Sequence, residues 1–418
     1  MRILLVSNLF PPVYLGGYEL ACANVAEGLR SRGHDIRILT SWNPLPSAAT
    51  EAPEVVRRLD MASYLPHLPA EAGARSAAAH AAMCSSFGNT MALLQEIRGF
   101  RPDLVYLWNL VGIGGAALID LLNTAGLPWV QHLMDRGPAD IVTATTEAVR
   151  GLYGHGTAAY RPGRLIAMSD HLVEEIETLI GEDFAQPPDI VPGWAETGAT
   201  LPHQPYLRDG VARFVAAGTV AAAKGTDLIL EAAALLKAEG LDFIVDIYGA
   251  GEVPRCVGRT HALQLDDRVR FLGPREQAEL IALYAGYDAF LFPTAEREPF
   301  GFAPIEAAAC ATPPIMTANC GASERLVDEV HCLKIFRTSE DLAAAMRRAA
   351  SDGTALARMG RAAQRLVCSD LTFARCLARI EAILLEAAAR PGPLPPDDRG
   401  LAALAFLKHN LSVRLRFG

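Results

Sequence analysis

Residues 288–328 read DAFLFPTAEREPFGFAPIEAAACATPPIMTANCGASERLVD. This stretch passes from an apolar run, through a loop that contains proline and glycine, into an Ala-rich run that is typical of a helix. Glu298 and Glu306 flank the loop, with seven residues between them. Pro304 suits the first turn of the helix, where a missing N–H costs nothing. The pattern therefore predicts a strand, a loop and a helix start beside two carboxylates.

The predicted helix start has the properties of a site for an anionic ligand. The segment from Gly301 to Ile305 is expected to present unpaired backbone N–H groups and the positive end of the helix dipole, which attract phosphate. Glu298 and Glu306 can then accept hydrogen bonds from hydroxyls on either side of a bound diphosphate. A nucleotide sugar has this layout. In the alternative interpretation the loop is an ordinary connection, and Glu306 only complements the helix dipole.

Four other segments occur in an order and spacing that are typical of one enzyme family. They are SNLFPPVYLGGYELACANVAEGLRSRGHDIRILT (7–40), AAGTVAAAKGTDLILEAA (216–233), IYGAGE (247–252) and RVRFLG (268–273). Together with residues 288–328, they resemble the retaining glycosyltransferases of the GT4 family, which have the GT-B fold. The resemblance covers most of the chain and implies that residues 288–328 are the donor-binding segment.

The composition is that of a folded, acidic globular enzyme. The chain has 418 residues, enough for two domains, and its 51% hydrophobic and 20% charged residues leave little room for disorder. A net charge of −9 argues against a wide nucleic-acid-binding surface, so we expect no nucleic acid partner. The eight cysteines form no C-x-x-C pair, which predicts neither a zinc site nor a disulfide framework. No cleavable signal peptide precedes the first strand, so we expect a cytoplasmic protein with reduced thiols.

Short apolar runs alternate with longer helical patterns, which predicts an α/β fold with parallel sheets and crossover helices. The stretch 192–209 is rich in proline and glycine and separates two such series, so we expect Rossmann-like, doubly wound domains at 1–195 and 210–389 that face one cleft. The family resemblance implies that the first domain binds the acceptor, that helices at about 390–418 cross back to complete it, and that the second domain binds the nucleotide sugar. The weakly patterned residues 50–90 belong to the acceptor side by the same resemblance. The strand candidates are residues 3–6, 36–40, 104–108, 129–132, 165–168, 190–191, 214–217, 243–248, 269–272, 289–293 and 314–317.

A glycine pair follows the first strand candidate. Gly16 and Gly17 precede a helical pattern that begins near Tyr18, and glycines there let a ligand approach the backbone and leave helix N–H groups free. A nicotinamide-dependent dehydrogenase has G-x-G-x-x-G at this point, and this chain does not. A plain turn is the alternative. The family resemblance implies that the pair faces the donor diphosphate and the transferred sugar.

Two polar residues come at the ends of strand candidates, where ligands bind in open α/β sheets. His132 ends the candidate 129–132, and Asn109 directly follows the candidate 104–108. A lone histidine is often structural, so the residues alone leave its role open. By resemblance His132 contacts the donor sugar and belongs to the catalytic set, whereas Asn109 is an acceptor-side candidate.

A single lysine follows the first strand candidate of the second domain. Lys224 lies in the loop GTVAAAKG, where an ammonium group can reach a bound diphosphate, and the alternative is a solvated surface lysine. The family resemblance implies an arginine about five positions earlier, but this chain has Thr219 there. One cation that stabilises the departing nucleoside diphosphate is therefore missing. Arg297, next to Glu298, is a candidate substitute; otherwise the donor is held differently or the activity is low.

The remaining candidates belong to the nucleotide side of the second domain. Gly249 and Gly251 follow the strand candidate 243–248, and Leu272 ends the next one; by resemblance they bracket the nucleotide base. The catalytic candidates are His132, Lys224 and Glu298. The full set of donor-binding candidates is Gly16, Gly17, Thr219, Lys224, Gly249, Gly251, Leu272, Arg297, Glu298, Phe300, Gly301, Phe302, Ala303 and Glu306.

The resemblance implies transfer of a hexose-type sugar, with retention, from a nucleoside diphosphate sugar to a hydroxyl acceptor such as a glycan, a glycolipid or a secondary metabolite. The acceptor attacks from the front face, and the leaving phosphate takes its proton. No Asp-x-Asp or histidine cluster occurs near the site, so we expect no metal and no other cofactor. A lipid acceptor would bring a peripheral membrane contact.

Other functions remain open at this stage. A glycosidase needs two carboxylates that flank the scissile bond, whereas the helix start and Lys224 favour an anionic leaving group. A nucleotide-sugar epimerase is possible, and a glycan phosphorylase would need a pyridoxal-binding lysine that we cannot locate. A degenerate protein that binds sugar nucleotide without catalysis is the alternative from another class. Thr219, together with Ala311 and Pro314, where the family usually has glycine and an aliphatic residue, supports that alternative.

Overall fold

A computed structural model describes residues 1–42, 51–61, 84–143, 146–154, 156–196, 202–294, 297–390 and 398–417. The chain divides into two compact units. The N-terminal unit comprises Met1–Met168, Leu172–Val191 and Leu377–Gly418, and the C-terminal unit comprises Ser169–His171 and Pro192–Cys376. Much of the predicted acceptor region, residues 62–83, lies outside the described residues.

The described part of the N-terminal unit contains a parallel seven-stranded sheet with the strand order β3-β2-β1-β4-β5-β6-β7. Its strands are β1 (Arg2–Val6), β2 (Asp35–Ser41), β3 (Val55–Leu59), β4 (Leu104–Leu107), β5 (Trp129–Leu133), β6 (Arg164–Ala167) and β7 (Asp189–Ile190). Its helices are α1 (Gly17–Ser31), α2 (Phe87–Phe100), α3 (Gly115–Ala125), α4 (Gly137–Thr143), α5 (Glu147–Tyr153) and most of α6 (Asp170–Ile180), followed later in the chain by most of α13 (Phe373–Ala388) and by α14 (Asp398–Phe417).

The central strands of this sheet are buried on both faces. In β1, residues Ile3 to Val6 have no exposed surface, and the four residues of β4 are equally buried. Such continuous apolar runs are expected where crossover helices cover both faces of a parallel sheet. The carboxyl ends of β1, β4 and β5 therefore lie at one edge, which positions the loops that follow them.

The described part of the C-terminal unit contains a parallel six-stranded sheet with the strand order β10-β9-β8-β11-β12-β13. Its strands are β8 (Ala212–Ala217), β9 (Phe243–Tyr248), β10 (Val269–Gly273), β11 (Ala289–Phe292), β12 (Pro314–Thr317) and β13 (Leu333–Ile335). Its helices are α7 (Thr226–Ala238), α8 (Val253–Ala262), α9 (Gln277–Tyr284), α10 (Ala303–Ala309), α11 (Ser339–Ser351) and α12 (Gly353–Asp370). The order reverses between β8 and β11, the place where doubly wound sheets bind ligands at their carboxyl ends.

The predicted α/β class with parallel, doubly wound sheets is confirmed. The end of the second domain differs from the prediction. We expect that domain to end at residue 389, whereas residues from Leu377 onward belong to the N-terminal unit. Within that unit, Glu381 of α13 lies 2.6 Å from the guanidinium of Arg32 and 2.8 Å from the imidazole of His34. These contacts tie the helix to the connection between α1 and β2.

None of the helices in the described ranges is both long and apolar enough to cross a bilayer. The eight cysteines are free thiols, and all except Cys368 are buried.

Candidate functional site

The two catalytic candidates of the C-terminal unit are in direct contact. Lys224 ends a short 3-10 turn after β8, and its Nζ donates to Oε2 of Glu298 in the loop after β11. The Lys224 side chain is 44% exposed, whereas the Glu298 side chain is only 14% exposed. The ammonium group therefore remains accessible while the carboxylate is largely enclosed.

Glu306 lies in the first turn of α10, as the sequence predicts, and is 7% exposed. Gln277, at the start of α9, donates from Nε2 to Oε1 of Glu306 over 2.5 Å. Burial raises the pKa of Glu306, and the bond from Gln277 opposes that rise. Gln277 was missed by the sequence interpretation. It holds one oxygen of Glu306 and leaves the other free to accept a ligand hydroxyl.

The backbone of the loop before α10 only partly matches the prediction of free N–H groups from Gly301 to Ile305. The N–H groups of Ile305 and Glu306 both donate to the carbonyl of Phe302, at 2.9 and 3.0 Å. This correction follows from the tight first turn, in which Phe302 is the residue before the helix. The open donors of the segment are therefore limited to residues 301–303.

Backbone hydrogen bonds from the loop after β12 hold the residues around Glu298 in place. Gly321 donates its N–H to the carbonyl of Glu298 over 3.1 Å, and Ala322 donates to that of Phe300 over 2.9 Å. The hydroxyl of Ser169 donates to the carbonyl of Pro299 over 2.7 Å. Phe300 itself is buried. Backbone contacts thus fix the loop that carries Glu298.

Gly321→Ala is expected to displace this loop. A Cβ at residue 321 would lie 2.0 Å from the carbonyl oxygen of Pro299 and 2.9 Å from Cα of Phe300. Overpacking costs about 1–3 kcal/mol, so nucleoside diphosphate affinity should fall roughly 5- to 150-fold. Calorimetric titration checks this. Gly258→Ala in α8 is the matched control, since a Cβ there meets nothing within 4 Å, and an equal loss of affinity in both variants would refute the assigned role of the loop.

The loop after β9 contains glycines, which allow it to lie close to the loop after β8. Gly249 has φ +144°, and a Cβ on it would lie 1.8 Å from the carbonyl oxygen of Gly218. Thr219, in the loop after β8, is exposed. Leu272, near the end of β10, packs beside Tyr248 in a small apolar cluster. These candidates follow adjacent strands and so gather at one edge of the sheet.

The remaining donor candidates of the C-terminal unit lie in or beside the loop after β11. Arg297 is half-buried, next to Glu298. The ring of Phe302 packs 5.6 Å from the ring of Trp194 and 5.9 Å from that of Phe300. Ala303 opens α10. The segment 297–306 thus carries Glu298 and Glu306 in one loop and the helix start that follows it.

In the N-terminal unit, Gly16 and Gly17 lie at the start of α1, as predicted, and a glutamate binds the backbone just before the helix. The carboxylate of Glu19 accepts the N–H of Gly16 at 3.0 Å and that of Leu15 at 3.2 Å. Glu19 is 4% exposed. The buried carboxylate thus holds the backbone that precedes α1, and the donor-binding role of Gly16 and Gly17 stays a prediction.

His132 lies within β5 and is completely buried. The hydroxyl of Tyr106 and Nδ1 of His132 share a hydrogen bond of 2.8 Å, and the ring of Trp108 lies 4.5 Å away. Burial lowers the pKa of His132 to about 3, so the imidazole is neutral at physiological pH. Its Nε2 has no hydrogen-bond partner among the described residues. Tyr106 therefore orients the ring, and Nε2 is an enclosed nitrogen without a partner in the described part of the chain.

Asn109 follows β4 and lines a small pocket of about 30 Å³. Its side-chain oxygen accepts the N–H of Val111 over 3.1 Å, which orders the loop. Tyr18, Trp108 and Asp135 line the same pocket. The structure thus places Asn109 close to the aromatic residues around His132.

Two family models match the chain, and together they span most of it. "Glycosyl transferase 4-like domain" matches residues 16–192, and "Glycosyl transferases group 1" matches residues 202–366. A curated relative, the glycogen synthase of Mycobacterium tuberculosis, is 27% identical over 99% of this chain and 100% of its own length.

Solved structures share the fold. The sucrose-phosphate synthase of Thermosynechococcus elongatus aligns with a TM-score of 0.71 and 18% identity, over 92% of this chain and 98% of its own. The Anabaena protein HepE, in complex with UDP and glucose, aligns with a TM-score of 0.65 and 17% identity, over 92% of this chain and all of its own. The chain has the GT-B fold and belongs to the group 1 glycosyltransferases, with a glycosyltransferase 4-like N-terminal region.

Proposed function

We propose that the protein is a retaining, metal-independent hexosyltransferase. A hydroxyl of the acceptor forms a bond to C1 of the donor sugar while the bond from C1 to the phosphate oxygen breaks. The acceptor proton passes to the leaving phosphate, and the nucleoside diphosphate departs. The donor is a nucleoside diphosphate hexose, and the acceptor is a hydroxyl-bearing glycan, glycolipid or secondary metabolite.

The contact between Lys224 and Glu298 carries this proposal. An ammonium group that is 44% exposed can exchange a carboxylate partner for the diphosphate of a donor. That exchange frees Glu298 to accept hydrogen bonds from the hydroxyls of the transferred sugar. Glu306, held by Gln277, accepts from the ribose hydroxyls, and the N–H groups of residues 301–303 face the negative charge.

The residues of the N-terminal unit support binding of the sugar rather than of the diphosphate. The carboxylate of Glu19 makes the start of α1 unfavourable for a phosphate, so we assign Gly16 and Gly17 to the hexose. The neutral imidazole of His132 is oriented by Tyr106, and its unpartnered Nε2 can bond a sugar hydroxyl once the residues that enclose it move on binding. Asn109 contributes on the acceptor side.

The names of similar proteins support a hexose donor. One relative is named glycogen synthase, and HepE was captured with UDP and glucose. We therefore propose a glucosyl or closely related donor for this chain. Nuclear magnetic resonance of the product tests the stereochemistry: the account predicts an anomeric configuration equal to that of the donor sugar. An inverted product would exclude retention, and an epimerised nucleotide sugar would instead identify an epimerase.

Activity is expected to survive chelation. Within the described ranges, no group of three or more His, Cys, Asp or Glu side chains is arranged to hold a metal ion. Lys224 and the N–H groups of residues 301–303 neutralise the diphosphate in this proposal. The measurement is turnover with and without excess EDTA. Loss of turnover that added Mg²⁺ or Mn²⁺ restores would refute the metal-free mechanism.

A protein that binds sugar nucleotide without catalysis is the second candidate. The exposed Thr219 favours it, because a neutral side chain occupies the position at which the family resemblance implies an arginine. Such a protein would bind a nucleoside diphosphate but release none from any donor.

A further inference from the structure

The C-terminal helix α14 exposes a row of leucines. Leu404, Leu407, Leu411 and Leu415 follow one another at intervals of three or four residues, which places them on one side of a helix. Their exposed fractions are 37%, 58%, 47% and 42%. We call these four residues the leucine stripe. A contiguous apolar surface of this kind marks an interaction site more often than a single exposed leucine does.

The side of α14 next to the stripe is anchored within the N-terminal unit, which fixes the rotation of the helix about its axis. Nζ of Lys408 donates to both carboxylate oxygens of Asp120 in α3, at 2.7 and 2.8 Å. Leu401 is 4% exposed, and Ser412, which is fully buried, shares a hydrogen bond of 3.1 Å with Ser85. One face of the helix is thus committed to packing, and the leucine stripe lies along the border of that face and remains exposed.

The charge of α14 is opposite to that of the whole protein. Residues 398–417 contain Arg399, Lys408, Arg414 and Arg416 but a single acid, Asp398, in a chain with a net charge of −9. Arg399 and Arg414 are exposed, and neither makes a hydrogen bond or ion pair with another residue in the described part of the chain. An apolar stripe flanked by unpaired arginines complements an anionic lipid surface.

We propose that the leucine stripe, with Arg399 and Arg414, docks the protein on an anionic membrane surface. The leucines enter the boundary between headgroups and acyl chains, and the guanidinium groups pair with lipid phosphates. A second copy of the chain fits this face less well, because self-pairing would bring basic helices together. This inference goes beyond the proposed function and involves none of the donor-binding residues.

Co-sedimentation of the full chain with lipid vesicles tests the proposal. We expect binding to phosphatidylcholine vesicles that contain about 30% phosphatidylglycerol, and much weaker binding to phosphatidylcholine alone. Arg414→Gln should weaken binding about fivefold, which is the effect of one basic residue near an anionic surface. The double variant Leu407→Glu, Leu411→Glu should abolish binding, since both leucines are exposed and their replacement leaves the anchored face intact.

Matched controls lie in the C-terminal unit. Leu235→Glu in α7, where the leucine is 40% exposed, and Arg358→Gln at an exposed position of α12 should leave vesicle binding unchanged. Nucleotide sugar turnover without vesicles should be the same in all these variants, so failure of docking is distinguishable from failure of the proposed function. Absence of binding to anionic vesicles, or equal binding to neutral ones, would overturn the proposal. So would light scattering that shows a dimer which the double variant dissociates, because the stripe would then bind a second copy.

Discussion

Lys224→Ala is expected to lower kcat by about 10²- to 10³-fold, the typical loss when one preorganised group that stabilises developing charge is removed. Thr219 is neutral, so the loop after β8 offers no second cation to share the charge of the departing diphosphate. Lys224 is partly exposed, so its removal opens no buried cavity, but it leaves the largely enclosed carboxylate of Glu298 without its partner. Thermal unfolding of the variant therefore has to be measured as well, so that lost turnover is separated from lost stability. Steady-state kinetics on one donor measures the turnover.

Three further variants make that experiment specific. Lys237→Ala removes another lysine of the same unit, one that pairs with Asp267 at 2.6 Å, and should leave kcat unchanged. Thr219→Arg should raise kcat by supplying the missing cation. Arg297→Ala tests the other candidate. If Lys224→Ala is nearly silent while Arg297→Ala is strongly impaired, the diphosphate is held from the loop that carries Glu298, and the assignment of Lys224 is wrong.

Glu306→Ala is expected to weaken nucleoside diphosphate binding by roughly 10- to 150-fold. A hydrogen bond to a charged group contributes about 1.5–3 kcal/mol, and the buried carboxylate is proposed to accept from the ribose. Burial raises the pKa of Glu306, so its charge is lost at a higher pH than that of an exposed glutamate. The affinity of the wild type should therefore fall on acidification, while that of Glu306→Gln should stay flat. Calorimetry across this range measures both effects.

Gln277→Ala separates orientation from direct binding. Gln277 bonds only one oxygen of Glu306, so its removal should weaken binding less than removal of the carboxylate itself. Unchanged affinity in Glu306→Ala would remove Glu306 from the site. Equal losses of affinity in Gln277→Ala and Glu306→Ala would contradict a direct hydrogen bond from the ribose to Glu306. They would show that both residues only maintain the local structure.

The strands were predictable where apolar runs were continuous. Residues 243–248 and 314–317 coincide with β9 and β12, because both faces of these strands are buried. β3 was missed, since two of its five residues are arginines. The structure explains one of them: Arg57 reaches from the sheet to the carbonyls of Phe10 and Pro11, at 3.1 and 2.9 Å. β13 was missed because three residues give no period to detect.

The candidate site was predictable where its residues are close in sequence. Glu298, Gly301 and Glu306 belong to one local strand, loop and helix pattern, whereas Gln277 reaches Glu306 from another helix and leaves no local signal. Glu19 did leave a signal, since a glutamate three residues after Gly16 is typical of a capping box. His132 packs against Tyr106 of the neighbouring strand β4 and against Trp108 just after it, and sequence spacing alone does not reveal such packing.

The central claim is that this chain transfers a sugar from a nucleotide donor with the help of Lys224. The most direct test is mass spectrometry of nucleoside diphosphate release from a panel of nucleotide hexoses, with wild type and Lys224→Ala in parallel. The account predicts release from at least one donor by the wild type and a loss of about 10²-fold or more in the variant. Tight nucleoside diphosphate binding by the wild type without release from any donor would contradict it and identify a non-catalytic binding protein.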